Sequence, residues 1–133
     1  MNPEGRQDLR KRTKEFALRI IKLYAALPKS TEAQVLGKQV LRSGTSVGAH
    51  YREACRAKSN ADFISKIEGA LQELDETLYW LELLAAANIV PATRLEPLER
   101  ETNELTAMFV TMARGVKQKK AGVVIPHPSA LIP

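Results

Sequence analysis

The chain has 133 residues, of which 44% are apolar, 5% aromatic and 26% charged, and it carries a formal net charge of +5. That length suits one domain, and the mixture excludes collagen-like, mucin-like and wholly disordered sequences. A single cysteine, Cys55, leaves no intramolecular disulfide. The opening residues lack the apolar core of a signal peptide, and no apolar run approaches the ~20 residues that span a membrane, so a cytoplasmic protein with no membrane partner is expected.

Helical periodicity dominates, and the expected fold is all-α: an antiparallel up-down-up-down four-helix bundle over residues 1–120. The first helix is expected at roughly 7–27. It offers Phe16, Ile20, Leu23 and Leu27 to a core, while Arg6, Arg10, Lys11, Arg12, Lys14, Arg19 and Lys22 crowd its first five turns. Pro28 and Lys29 end it, and Ser30 or Thr31 caps the second helix, expected at roughly 31–57.

In the second helix Leu36, Val40, Ser43, Val47 and Ala54 form the inner side, which is rich in small residues. Gly44 and Gly48 share one face, and each costs about 1 kcal/mol relative to alanine in a helix interior. They predict the close approach of another helix; the alternative is a kink that exposes backbone to a phosphate. On a helical wheel with Arg42 at zero, Lys38 and Arg56 fall at about −40° and Arg52 at about −80°, opposite core positions at about +100° to +160°. Such a row would track a phosphate backbone and release counterions. It is equally what a solvated outer face looks like.

Ser59 or Asn60 opens the third helix, expected at roughly 60–88, with Asp62 near its positive end. Ile64, Ile67, Leu71, Leu74, Leu78, Leu81 and Ala85 alternate three and four apart, which predicts its buried seam. Glu68, Glu73, Asp75, Glu76 and Glu82 give it an acidic outer surface, either solvated or paired with the basic half of another subunit. From Tyr79 to Ala87 the only charge is Glu82. Tyr79, Trp80, Leu83 and Leu84 lie off the expected seam and are predicted to form an oligomer interface, so Trp80→Ala is expected to shift the particle toward monomer.

The fourth helix, roughly 93–118, repeats the spacing with Leu95, Leu98, Thr102, Leu105, Phe109, Met112 and Val116. Short connections predict antiparallel neighbours. Ala121 to Pro133 holds no charged side chain and three prolines, so residues 121–133 are expected to be a mobile, disordered tail.

Charge is distributed unevenly. Residues 1–29 carry a balance of +5, residues 30–58 carry +3, residues 59–90 carry −5 and residues 91–133 carry +2. A basic half of this kind attracts phosphates, or meets an acidic surface on another copy of the chain.

Chemistry-bearing motifs are sparse. A di-iron bundle needs Glu-x-x-His on two helices, and the sequence has a single reversed His50-x-x-Glu53. One cysteine and two histidines supply no closed zinc set, and no Walker-type loop or G-x-S-x-G elbow occurs. His50, Glu53 and Cys55 could be drawn as a trio, but His50 and Cys55 point about 140° apart on a helix, so a small packed thiol is the expected reading. No enzyme, metal, cofactor or small-molecule substrate is therefore expected.

Three stretches carry a resemblance: QVLRSGTSVGAHYREA from Gln39 to Ala54, KSNADFI from Lys58 to Ile64, and ELDETLYWLE from Glu73 to Glu82. Small residues, Arg and Tyr recur in order over this block, which resembles the 23S rRNA-intervening-sequence family of four helix bundle proteins across about residues 10–118. His50 departs from the Asn usual in this subgroup. The resemblance implies an up-down-up-down bundle assembled as a homopentamer, with no known catalytic activity and no cofactor. A similar fold serves diversity-generating retroelements as a basic pentamer associated with nucleic acid, an analogy of fold alone.

The function expected from these readings is non-enzymatic binding of nucleic acid, with RNA favoured over DNA, through phosphate contacts of Arg12, Arg19, Lys38, Arg42, Arg52 and Arg56. Five copies would carry a formal +25, and the scarcity of aromatics in the basic segments predicts little base readout. The alternative is a structural adaptor that self-associates through charge-complementary and apolar surfaces and binds a protein partner.

Overall fold

A computed structural model of the chain describes residues 3–120, which form four helices: α1 Pro3–Ala26, α2 Thr31–Cys55, α3 Asn60–Ala86 and α4 Ala92–Lys120. No strand occurs among the described residues. The tail expected at 121–133 lies outside them.

Side chains set the helix ends. The Ser30 hydroxyl accepts from the Ala33 amide at the start of α2, and the Ser59 hydroxyl accepts from the Asp62 amide at 3.0 Å at the start of α3. α3 ends where Asn88 takes φ of 61°, a left-handed turn that asparagine tolerates well. The Ile89 and Val90 amides then donate back to the Leu84 carbonyl at 3.0 and 3.2 Å, so the chain reverses within a few residues. Pro97 stands inside α4, near its start. Its missing N–H leaves only the exposed Thr93 region without a helical donor, which water can satisfy.

The helices pack in sequence order. α2 and α3 share the most extensive contact, α1 lies on α2 and α4 on α3, while α1 and α4 meet at few positions. Paired positions rise along α2 as they fall along α3: Arg42 meets Glu73 and Glu76, Ser43 meets Thr77, and Glu53 meets Lys66. Contacts between α1 and α2 behave likewise, with Gly37 against Leu27 and Tyr24, Gly44 against Ile20, and Gly48 against Thr13.

Leu9, Phe16 and Ile20 of α1, Val40, Val47 and Tyr51 of α2, Ile67, Leu74 and Leu81 of α3, and Leu95, Leu105, Phe109 and Met112 of α4 form a continuous core. Tyr51 stacks on Phe109 with ring centres 5.6 Å apart. The buried seam of α3 differs from the expected one: Ala70, Thr77 and Leu84 are buried, whereas Ile64, Leu71, Leu78 and Ala85 are half-buried. The reason is that α3 touches both α2 and α4, so its inner arc is wide and turned toward α2. There Thr77 is tolerated because its hydroxyl donates to the Glu73 carbonyl and lies 2.8 Å from the Ser43 hydroxyl.

Candidate nucleic-acid interface

The α1–α2 seam is built from glycine. A methyl group on Gly44 would lie 2.7 Å from Ile20 Cγ1, and one on Gly37 would lie 2.6 Å from Leu27 Cδ1. Both distances are too short for a side chain, so these positions set how closely α1 approaches, as expected at Gly44. Gly48 is slightly looser, 3.1 Å from Thr13 Oγ1. Close approach brings the flanking cations together. Lys14 of α1 and Arg52 of α2 line one shallow groove with Thr13 and Gly48. Nearer the start of α1, Arg6 borders a cavity of about 380 Å³ with Lys58 and Lys119 on its rim and Cys55 and Phe63 in its wall. Burial pushes the Tyr51 hydroxyl above its ordinary pKa, with Cys55 adding, while the charges of Arg6 and Arg10 pull it down.

The six expected phosphate ligands separate into two groups. Arg12 is a quarter exposed and spans the α1–α4 seam, donating to both oxygens of Glu101 at 2.7 and 2.8 Å and to Glu104 at 3.4 Å. Those carboxylates, the Glu101 hydrogen bond most of all, hold its guanidinium protonated even more firmly than usual. Arg42 leans toward α3, where it pairs with Glu73 at 3.2 Å and with Glu76. Both arginines thus have carboxylate partners within the chain. Arg19, Lys38, Arg52 and Arg56 have no ion pair among the described residues, and all but the half-buried Arg52 are exposed. Lys38, Arg52 and Arg56 remain on the outward arc of α2, whereas Arg19 lies at the other side of α1, facing α4.

Lys14 joins Arg52 from across the seam, and Arg6 and Arg10 precede it on α1 near Tyr51; none of the three was among the expected ligands. Their spacing of four residues marks one face of α1. That periodicity distinguishes them from Arg12, which the crowd of cations in the same turns concealed.

Most of the acids lie elsewhere. Glu82 of α3 and Glu96 and Glu99 of α4 are close enough that burial and their mutual repulsion raise the Glu99 carboxyl above the usual range. Glu68 pairs with Lys117 at 3.9 Å, and Glu53 with Lys66 at 3.3 Å. Residues 1–58 carry an excess of cations although Glu4, Asp8, Glu15, Glu32 and Glu53 lie among them, and the carboxylates that pair with Arg12 and Arg42 belong to α4 and α3.

Of the expected interface residues, Tyr79 is 54% exposed, Leu83 is half-buried, and Trp80 is half-buried against the core with its ring 5.1 Å from that of Tyr79. Leu84 belongs to the core instead. It is fully buried, because the inner arc of α3 is turned toward it. The His50, Glu53 and Cys55 side chains are not brought together: Glu53 pairs with Lys66, Cys55 lines the cavity beside Arg6, and the His50 ring lies over Gly69 with its Nδ1 buried and unpartnered. Among the described residues no cluster of His, Cys, Asp or Glu has the makings of a metal site, and no helix is long and apolar enough to cross a membrane.

A model of the 23S rRNA-intervening sequence protein family matches residues 6–111. A crystal structure from Bacteroides thetaiotaomicron, of a protein of unknown function from the S23 ribosomal protein family, is 38% identical to this chain and superposes with a TM-score of 0.77. The match covers 83% of this chain and 98% of that one. No curated protein matches the sequence.

Proposed function

This chain belongs to the 23S rRNA-intervening sequence protein family, and from that premise we propose that it is a non-enzymatic, cytoplasmic protein that binds the phosphate backbone of nucleic acid, RNA in preference to DNA. It acts without a cofactor and as a homo-oligomer, a pentamer. The opposed registers of α1 on α2 and α2 on α3 support an antiparallel, up-down-up-down arrangement within each copy.

The observation that carries this reading is the unpaired cation group astride the α1–α2 seam. Arg52 and Lys14 share a groove, with Arg6 and Arg10 along the same face of α1 and Arg56 one turn beyond Arg52. Glycine-mediated packing fixes their spacing at no cost in flexible loops. Cations on rigid helices, repeated around an oligomer, give a multivalent surface that neutralises phosphates without reading bases.

Fluorescence anisotropy with labelled RNA and DNA over a salt series tests this. Log K falls with log salt, and Lys14→Glu with Arg52→Glu weakens binding and lowers the slope by about one unit for each cation removed. Arg12→Gln leaves the slope unchanged, because its carboxylates already occupy it. An intact oligomer that binds neither nucleic acid at low salt would overturn the proposal and leave the adaptor reading.

A further inference from the structure

The α1 and α4 backbones come close at few positions, and where α1 ends and α4 begins they part around a cleft of about 460 Å³. Its floor is apolar: Leu27, Leu95 and Leu98 are almost fully buried there, and Leu23 is half-buried. Pro28 and Pro97 form part of its wall, and a proline has no N–H to leave unsatisfied beside a hydrocarbon. Its rim is cationic, with exposed Arg19, Lys22 and Arg94, and no carboxylate lines it. Farther along the same seam Arg12 is neutralised by Glu101 and Glu104, but among the described residues no ion pair reaches the three rim cations.

We infer that this cleft binds a single-chain aliphatic carboxylate, with the alkyl chain on the leucine floor and the carboxylate among Arg19, Lys22 and Arg94. A free surface that only attracts anions needs no leucine floor. An apolar contact without charge leaves three cations uncompensated. A ligand with both an apolar body and an anionic end satisfies the two halves together, and the planar fork of an arginine suits a carboxylate particularly well. The volume lies in the range that encloses one small molecule. The floor is recessed beneath the rim, so a free amphiphile reaches it and a flat lipid surface does not. Floor and rim come from segments some seventy residues apart in sequence, which is why neither composition nor periodicity signals the site.

Calorimetric titration of the full chain with octanoate, decanoate and dodecanoate below their micellar concentrations, and with dodecan-1-ol below its solubility limit, tests the inference. Affinity rises by up to about fourfold per methylene until the cleft is filled, and the alcohol binds about tenfold more weakly than the acid of the same length. Arg94→Glu weakens dodecanoate binding by about tenfold or more while the melting temperature holds, and Leu23→Gln weakens it through the floor. Absence of saturable binding, equal binding of acid and alcohol, or indifference to both variants would each overturn it. Dodecanoate affinity that falls as protein concentration rises would also overturn it, and would give the cleft to a second copy of the chain.

Discussion

Arg12 and Lys14 stand two residues apart in a run of cations, yet they do different work. Arg12 points into the α1–α4 seam and donates to Glu101, which is 14% exposed, so the pair is largely withdrawn from water. Because the α1 and α4 backbones come close at few positions, this pair has more influence on their docking than a surface ion pair would. Arg12→Met is expected to cost about 1.5 kcal/mol, between the value of an exposed pair and that of a desolvated charge-assisted hydrogen bond. Urea unfolding of Arg12→Met, Glu101→Gln and the double variant checks this through the coupling between the two sites. Strictly additive effects would show that the pair contributes nothing. Nothing in the local sequence shows that Arg12 has a carboxylate partner, since Glu101 lies 89 residues away. Lys14 was recoverable, because with Arg6 and Arg10 it repeats every fourth residue.

At the level of the helix, the same logic separates the glycines. Gly44 and Gly48 read as contact points from their spacing alone, and Gly44 indeed faces Ile20, a fully buried and β-branched side chain with little freedom to move. Gly44→Ala is therefore expected to destabilise the protein by about 1 kcal/mol, since overpacking outweighs the gain in helix propensity. Gly69 gives the opposite sign. The atoms its methyl group would meet belong to the half-buried His50 ring, whose Nδ1 has no hydrogen bond to lose. Gly69→Ala is expected to be neutral or to raise stability by about 0.5 kcal/mol. Thermal melts of the two variants check the reversal; a Gly44→Ala protein as stable as the parent would show that α1 docks with slack. Helix number, caps and most core positions were legible because apolar spacing and Ser30 or Ser59 carry them locally. The rotation of α3 was not. Its apolar residues cover more than one face, and only the choice of neighbours decides that Leu84 turns inward and Leu78 does not.

For the whole molecule the open surface is apolar as well as basic. Val35 and Tyr79 are 56% and 54% exposed. The register that sets Arg42 against Glu76 and Ser43 against Thr77 carries Val35 toward the last turns of α3, near half-buried Leu83. A tyrosine and two aliphatic side chains held on rigid helices form the kind of anchor that oligomer interfaces use. Each copy carries +5, so assembly sets apolar burial against like-charge repulsion. Salt screens that repulsion, whereas it weakens phosphate binding. The proposed self-association is thus expected to strengthen over the same salt series that would weaken the proposed RNA binding. Tyr79→Glu places a charge in the patch without touching the core, and it is expected to reduce the sedimenting particle to the 14.8 kDa single chain. Leu18→Glu, at a 51% exposed leucine on α1, is expected to leave the mass unchanged. A Tyr79→Glu protein that sediments like the parent would remove this patch from the interface. It would also shift the question to whether the acidic α3–α4 side of one copy meets the basic α1–α2 side of the next, a contact that salt would weaken rather than strengthen.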